Sequence, residues 1–365
     1  MNKVMTLHDA VAKYVESGDT ISFGGFTTNR KPYAALSEIL RQGQKDFTVW
    51  AGPAGGDWDM MIGEDRVKAY INCYTANSGY TNVSRRFRAA IEAGKLTYED
   101  YSQDVLMLQL HAASLGLPFL PVRLMQGSGL TQFWGISKEV RQTMDSVDND
   151  KYVMVDNPFN PGEKVVAVPV PKLDTAIIHV QQASPDGTCI IMGDEFHDVD
   201  IAVAARKVIV TCEELVSDEY IRRDPTLTRI FGECVSAVVW APYGAWPSQC
   251  YNYYDNDSHA LKEYDKASKY QDAEDAKAQL KKAAEKAAKA AAKAPTDAKL
   301  AEAAEKAAKA AEAAENGTAI PETFQDYLEK WVYSVKDHEE LLDKIGGARL
   351  MRLKNEPGLG YSTRH

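Results

Sequence analysis

The sequence predicts an α/β protein: an open, mainly parallel sheet flanked by helices, with an inserted helical hairpin rich in alanine, lysine and glutamate. Short runs rich in valine and isoleucine, typical of strands buried on both faces, alternate with segments of helical periodicity along 1–270. Strands that alternate with helices form parallel sheets. A change of composition after residue 270 predicts the hairpin.

The first third of the chain repeats strand, loop and helix. Thr6 is expected to cap an opening helix, and Pro32 to occupy the first turn of a helix that runs to about Gly43. Around that helix the sequence predicts strands at 20–23, 47–51 and 67–71, a polar loop at 72–82 and a helix at about 83–94.

The middle of the chain continues this pattern. Strands are predicted at 119–124, 164–168, 175–180, 208–211 and 235–240, and we expect them to extend the same sheet. Prolines and a glycine between 158 and 171 indicate an irregular excursion rather than a domain linker. The predicted domains are an α/β domain at 1–270, a helical hairpin at 271–316 and the C-terminal part of the α/β domain at 317–365.

The segment 271–316 differs from the rest of the chain. Of its 46 residues 21 are alanine, and one octet occurs at both 284–291 and 304–311. Alanine, lysine and glutamate are strong helix formers. Pro295 breaks the helix, Thr296 or Asp297 can cap the second arm, and Asn316-Gly317 ends it. We interpret the hairpin as a solvated insertion, with a partner-binding arm as the alternative.

Charge and cysteine content exclude several classes of protein. With 42 lysines and arginines against 52 aspartates and glutamates, the net charge is −10, so there is no basic stripe for nucleic acid. The five cysteines are odd in number and lack a C-x-x-C pair, which favours reduced thiols over disulfides or structural zinc.

The sequence also gives no sign of a membrane segment. No run approaches the roughly 18 uncharged apolar residues of a membrane helix. Lys3, Asp9 and Lys13 interrupt the opening segment, where a secretory signal would be continuously apolar. We therefore expect a cytoplasmic protein with no membrane partner.

Three glycine-rich segments follow predicted strands, at 24–26, 52–57 and 126–129. At the carboxyl ends of parallel strands, glycines let main-chain N–H groups approach an anion or a developing oxyanion. Ordinary tight turns are an equal alternative for each segment alone. None completes a dinucleotide fingerprint, and no Gly-Lys-Ser/Thr triplet occurs, which disfavours NAD and ATP.

The polar run 193–200 contains acidic residues and His197, but it matches neither H-E-x-x-H nor an EF-hand loop. A polar turn that caps a helix at 201–205 is the preferred interpretation, and no metal site is predicted. His111 and His179 lie in apolar segments, which favours satisfied core histidines. No Gly-x-Ser-x-Gly elbow supports a serine hydrolase.

Several segments together resemble the family I coenzyme A transferases, and among them the alpha (A) subunits of the glutaconate branch. The segment 18–26, followed by Pro32, is similar to the family's A-subunit signature, although Arg30 stands where many members have glycine. We identify no counterpart for 271–316, whose repeats suggest an inserted or engineered spacer. The other matching segments are 115–119 with 127–129, 174–187 and 208–214, and for the glutaconate branch 72–79 and 241–245.

The resemblance implies an activity and a partner. It implies transfer of CoA from acetyl-CoA to (E)-glutaconate or a similar dicarboxylate, as in glutamate fermentation, with the CoA thioester as substrate and no other cofactor. In this family the partner beta subunit carries a Ser-Glu-Asn-Gly motif, whose glutamate attacks the thioester and becomes a glutamyl-CoA thioester. The alternatives are a CoA-ester hydrolase subunit of the same superfamily, or a non-catalytic scaffold that displays the hairpin.

This chain lacks the Ser-Glu-Asn-Gly motif, so we expect it to contribute no catalytic residue. Ala314-Glu315-Asn316-Gly317 is a near match that we interpret as a helix stop. Asn77 and Ser78 have suitable donors for the second carboxylate of the substrate, with an ordinary polar turn as the alternative. The residues predicted to bind substrate are Gly24, Gly25, Phe26, Thr28, Arg30, Asn77, Ser78, Gly127 and Ser128.

Overall fold

The computed structural model describes residues 2–77, 80, 83–356 and 358–363. These residues form two compact units. The first consists of the chain up to Leu261 together with the chain from Lys336 onward, and the second is Lys262–Val335. Among the described residues, no helix combines the length and the apolar character that a membrane span requires.

The strands lie in the first unit and form two sheets, one of nine strands and one of three. In chain order they are β1 Thr20–Phe23, β2 Phe47–Ala51, β3 Val67–Asn72, β4 Thr97–Asp100, β5 Phe119–Val122, β6 Val153–Asp156, β7 Lys164–Pro169, β8 Thr175–Ala183, β9 Cys189–Ile190, β10 Lys207–Leu215, β11 Thr228–Ile230 and β12 Ala237–Trp240.

The large sheet is mainly parallel, as predicted. Its parallel strands follow the order β4, β3, β2, β1, β8, β10, β12. The short strands β9 and β11 add antiparallel pairs beside the end of β8. Because the chain builds β1 to β4 in one direction and β8, β10 and β12 in the other, the strand order reverses between β1 and β8.

Two of the predicted strands lie outside this sheet. β5 and β7 pair antiparallel with each other, and β6 pairs antiparallel with β7. The expectation that 119–124 and 164–168 extend the parallel sheet is therefore wrong. The physical reason is the connection: a tight turn at 157–163, closed by Asn157 N–H to the Glu163 carbonyl at 2.9 Å, joins β6 directly to β7 without a crossover helix.

Helices cover both faces of the large sheet. On one face, apolar residues of α5 and α8 share a core with β8 and β10. On the other, Phe23 of β1 stacks on Trp58 of α3 with ring centroids 4.1 Å apart. Thr6 caps α1 as predicted, since its Oγ1 accepts from Asp9 N–H. The helices of this unit include α1 Leu7–Tyr14, α2 Tyr33–Gln42, α3 Gly56–Gly63, α4 Arg85–Glu92, α5 Gln103–Ser114, α6 Gly129–Gln132, α7 Lys138–Arg141, α8 Asp198–Ala204 and α9 Asp218–Arg222.

The second unit contains the predicted hairpin. Its arms are α11 Ala273–Lys293 and α12 Ala298–Glu315, with Pro295 between them. The unit also includes α13 Phe324–Leu328 and a π-helical turn at Glu329–Tyr333, and Tyr264 packs against Tyr327 with ring centroids 5.2 Å apart. The remaining helices of the chain are α10 Ser258–Ala267, which enters this unit, and α14 His338–Ile345 and α15 Gly347–Leu353, which belong to the first.

The hairpin allows a direct test of helix capping. Asp297 accepts hydrogen bonds from the N–H groups of Lys299 and Leu300. Asp297→Ala removes this cap, at a cost of about 1 kcal/mol to the helix. We expect faster amide hydrogen exchange in the first turn of α12. Thr296→Ala is the matched control, and equal exchange rates in the two variants would show that Asp297 is not the cap.

Candidate active site

The candidate site lies where the strand order of the large sheet reverses, between β1 and β8. In open parallel sheets ligands bind at such a reversal, beyond the carboxyl ends of the strands. β1 pairs with β8 only as far as Phe23 and Ile177, whereas β8 continues to Ala183. The segments that follow β1 and β2 border the gap that opens there.

The loop after β1, residues 24–31, is called here the first glycine loop. Two backbone hydrogen bonds between Phe26 and Asn29, of 3.0 and 2.8 Å, close its turn. Gly25, Thr27 and Arg30 have φ angles of +77°, +46° and +55°. This conformation strains residues other than glycine, at about 1–3 kcal/mol each. The loop therefore depends on contacts that fix its shape.

Arg30 makes the central contact of this loop. Its buried guanidinium donates from Nη1 to Asp198 Oδ2 at 2.5 Å and to the His179 carbonyl at 3.0 Å. Gly24 N–H takes the Ile177 carbonyl at 2.9 Å, and the His179 carbonyl is the next acceptor on that edge of β8. Arg30 thus occupies the position that β1 vacates. In this arrangement its guanidinium is engaged within the protein rather than with a ligand.

Asp198 receives the loop from the first turn of α8. Its buried carboxylate accepts from Arg30 through Oδ2 and from Gly25 N–H through Oδ1 at 2.7 Å. A Cβ on Gly24 would lie 2.5 Å from Asp198 Oδ1, and a Cβ on Gly25 would strike the Asn29 carbonyl. The two glycines are therefore required by close packing.

The loop after β2, residues 52–57, is called here the second glycine loop. Gly55 N–H donates to Asp57 Oδ1 at 2.7 Å, and Gly56 N–H donates to Asn77 Oδ1 at 2.8 Å. The Asn77 side chain is buried against this loop, where a Cβ on Gly55 would strike its Oδ1. Asn77 therefore shapes the second glycine loop in this structure.

Lys31 ties the two loops together. Its buried Nζ donates to the Gly25 carbonyl at 3.1 Å and lies 3.3 Å from Asp57 Oδ2. Thr27 N–H also donates to the Pro53 carbonyl at 3.2 Å. Consecutive cations of the first loop thus reach two carboxylates in different places, Arg30 toward α8 and Lys31 toward the second loop.

The glycine N–H groups described above all have acceptors within the chain. Protein carboxylates or amide oxygens occupy the positions where an anionic ligand was expected. The site consequently presents two preformed, strained loops rather than an open cradle of N–H donors. The donors and their acceptors are Gly24 with the Ile177 carbonyl, Gly25 with Asp198, Gly55 with Asp57, and Gly56 with Asn77.

His197 fills the space between the loops. Its Nε2–H donates to the Phe23 carbonyl at 3.1 Å, and its ring packs so closely that a Cβ on Gly52 would lie 2.8 Å from it. Burial lowers the pKa of His197 to about 4, with the charge of Lys31 reinforcing the shift and that of Asp198 opposing it. The ring is neutral at neutral pH and serves as a donor and a packing surface.

A second buried cluster surrounds His179. Its Nδ1 lies 2.9 Å from Thr211 Oγ1 and its Nε2 lies 2.6 Å from Glu213 Oε1, which also accepts from Tyr254 OH at 2.7 Å. The ligand atoms of His179, Glu213 and Cys250 lie within 4.8 Å of one another, a spacing that could suit a metal. Because both ring nitrogens already have hydrogen-bond partners, the cluster fits a core network, as expected for His179.

His111 differs from its prediction. Its side chain is 55% exposed and pairs with Asp200 at 2.9 Å, so it is a surface residue rather than a core histidine. The apolar segment around it misled the prediction because one face of α5 points outward.

The structure places the predicted substrate-binding residues in two regions. Gly127 and Ser128 follow β5 of the smaller sheet, in an exposed turn where Ser128 Oγ donates to the Met125 carbonyl at 2.6 Å. Ser78 lies outside the described residues. The residues that belong to the two glycine loops or contact them are Gly24, Gly25, Phe26, Thr28, Arg30 and Asn77.

Sequence reasoning missed four charged or titratable residues of this site, namely Lys31, Asp57, His197 and Asp198. The polar run 193–200 carries the signal, but its pattern alone favours a turn that caps a helix. In the structure its backbone also takes part, since Arg30 Nη2 donates to the Asp194 carbonyl at 2.5 Å.

Comparison with known proteins identifies the family. The family model for coenzyme A transferase matches residues 4–241. The chain is also 59% identical over 361 residues to the alpha (A) chain of glutaconate CoA-transferase from Acidaminococcus fermentans, an alignment that covers 99% of this chain and 97% of that one. The chain belongs to the coenzyme A transferase family. The predicted resemblance is confirmed.

A solved structure and a more distant relative extend the comparison. The crystal structure of glutaconate CoA-transferase from A. fermentans matches with a TM-score of 0.83 and 58% identity, over 99% of this chain and 98% of that chain. One subunit of a cholesterol ring-cleaving hydrolase from Rhodococcus jostii is 29% identical over 278 residues, which cover 73% of this chain and 88% of that one.

These coverages correct one expectation about the hairpin. A match that covers 99% of this CoA-transferase family chain runs through 271–316 as well. The expectation that this segment has no counterpart is therefore wrong. The repeats misled the prediction because alanine-rich composition reflects helix propensity and says little about ancestry.

The low pKa of His197 predicts how stability changes with pH. Below pH 6.5 the unfolded chain binds a proton that the folded protein does not bind until about pH 4, so folding stability falls as the pH is lowered through this window. The full loss is about 3 kcal/mol for this pKa difference. His197→Phe keeps a flat ring and removes the titration. Urea denaturation between pH 7 and pH 4 should give a shallower pH slope for the variant, and equal slopes would contradict the assignment.

Proposed function

We propose that this chain is the alpha (A) subunit of a heteromeric CoA-transferase that moves CoA from acetyl-CoA to (E)-glutaconate or a similar dicarboxylate. The observation that carries the proposal is the 59% identity to the alpha (A) chain of a glutaconate CoA-transferase along 99% of this chain. Identity of this extent includes both glycine loops and the residues that hold them.

The partner in this proposal is a beta subunit that supplies the nucleophilic glutamate. In the proposed reaction its carboxylate attacks the acetyl-CoA carbonyl and expels the CoA thiolate, which leaves an acetyl-glutamyl anhydride. The thiolate then attacks the glutamyl carbonyl of the anhydride, which releases acetate and forms the glutamyl-CoA thioester. The acceptor dicarboxylate receives CoA by the reverse sequence of the same two steps.

The carboxylates of this chain's candidate site support that division of labour. Asp198 and Asp57 are buried, accept N–H groups and lie beside Arg30 and Lys31, so neither is poised for attack. Glu315, the near match to the beta-subunit motif, ends α12 in the second unit, where its largely exposed side chain lies 3.4 Å from Lys281 Nζ. A nucleophile needs a firmly held position.

In this proposal the first glycine loop and the segment around Asn77 and Ser78 line the dicarboxylate end of the cleft. Support comes from their place at the strand-order reversal and from the partly exposed side chains of Phe26, Thr27 and Asn29. The CoA thioester is the substrate, and no other cofactor is proposed. We further propose a cytoplasmic location, which suits the free thiols at all five cysteines.

A CoA-ester hydrolase is the second candidate function. The observation that favours it is the similarity to a ring-cleaving hydrolase subunit, at 29% identity over 73% of the chain. Identity twice as high over nearly the whole chain favours the transferase. The beta-chain sequence discriminates the two, because a transferase needs the motif glutamate to carry CoA.

Trapping of the covalent intermediate tests the proposed function. The chain is co-purified with its cognate beta subunit, incubated with acetyl-CoA without acceptor, and digested for mass spectrometry. We expect the CoA adduct on the beta-subunit glutamate and none on this chain, and we expect the isolated chain to be inactive. An adduct on this chain, or substantial turnover by the isolated chain, would overturn the proposal.

Glu315→Gln provides the control for the near-match motif. Loss of an exposed ion pair changes stability by about 0–1 kcal/mol, so we expect the assembled enzyme to keep its transfer rate. A large fall in kcat for this variant, measured by transfer of CoA to glutaconate, would instead give Glu315 a part in the chemistry.

A further inference from the structure

We propose that Asp198 is a positioning residue for acceptor recognition: through Gly25 and Arg30 it fixes the first glycine loop, and with it the dicarboxylate end of the cleft. This inference rests on the proposed function and deepens it. Asp198 itself is fully buried and therefore acts through the loop rather than by touching substrate.

Both oxygens of Asp198 serve the first glycine loop. Oδ1 accepts Gly25 N–H at 2.7 Å, and Oδ2 accepts Arg30 Nη1 at 2.5 Å. These two contacts hold the loop at both ends of its strained turn, which includes Thr27 with a φ of +46°. A carboxylate contacted in this way fixes a backbone conformation that the loop's own residues disfavour.

The gap between β1 and β8 explains why a charged pair is used here. With β1 gone, the His179 carbonyl has lost its strand partner, and Arg30 supplies the donor at 3.0 Å. The guanidinium is then buried and requires a counter-charge within reach, which Asp198 provides from α8. The pair therefore fastens the loop to β8 and α8 at once.

The part of the loop between these contacts faces the cleft. Phe26, Thr27 and Asn29 are partly exposed, whereas Arg30 and Lys31 are buried. Release of Gly25 or Arg30 from Asp198 would displace these partly exposed side chains without removing any of them. The expected consequence is weaker recognition of the acceptor acid, with little effect on acetyl-CoA.

The test compares Asp198→Asn with Glu99→Gln in the complex with the beta subunit. Glu99 is an equally buried carboxylate that pairs with Arg141 at 2.6 Å on β4, away from both glycine loops. Each substitution is isosteric and leaves a buried cation without its counter-charge, so both variants should lose thermal stability. Only Asp198→Asn should raise the KM for glutaconate, by about tenfold or more, with the KM for acetyl-CoA within about threefold.

A double variant separates positioning from stability. Arg30→Met with Asp198→Asn removes both charges, so it should recover part of the melting temperature lost by Asp198→Asn alone. We expect its KM for glutaconate to stay raised, because the loop has lost its attachment to β8. If KM recovers together with the melting temperature, or if Glu99→Gln raises it equally, the positioning role is overturned.

Hydrogen exchange provides a readout that does not depend on the reaction. Asp198→Asn should speed amide exchange in the peptide that contains residues 24–31, and Glu99→Gln should not. Unchanged exchange in that peptide would overturn the anchor. If the wild-type complex transfers no CoA while exchange responds as expected, the proposed function and the acceptor role both fail, and only the anchoring of the loop stands.

Discussion

The Arg30–Asp198 ion pair is the contact on which the geometry of the candidate site depends. A parallel sheet that grows in two directions from one point leaves a gap where its first strands part, and here β8 continues beyond the end of β1. A backbone edge in such a gap needs a partner or water. Arg30 provides the partner and Asp198 neutralises Arg30, so the same two residues seal the sheet and shape the loop.

This arrangement also explains why the glycine loops have no free carboxylate. Replacing a buried ion pair by apolar residues often costs nothing in stability, so its presence needs a reason beyond stability. In this chain Asp198 and Asp57 accept glycine N–H groups and neutralise adjacent cations. Acids used in this way are unavailable as nucleophiles, which agrees with a site whose reactive glutamate comes from a partner subunit.

Part of the fold could be read from the sequence because local signals and tertiary packing agree. The strands at 20–23 and 47–51 are buried throughout and were predicted to the residue. β4 was missed because Glu99 and Asp100 give its sequence a polar character, and only Arg141 and Lys151 make burial of Glu99 acceptable. The glycine loops were found in the same way, whereas Asp198 was not, because no local pattern links residues 168 positions apart.

The consecutive basic residues of the first loop explain how one short segment can be rigid and still belong to a shared cleft. Arg30 is held at the sheet and Lys31 at the second loop, so the backbone between β1 and α2 is fixed from two directions. A catalytic group brought by another polypeptide gains most from a surface that does not have to reorganise when the two meet. The strain at Thr27 and Arg30 is therefore consistent with a loop whose shape matters more than its own stability.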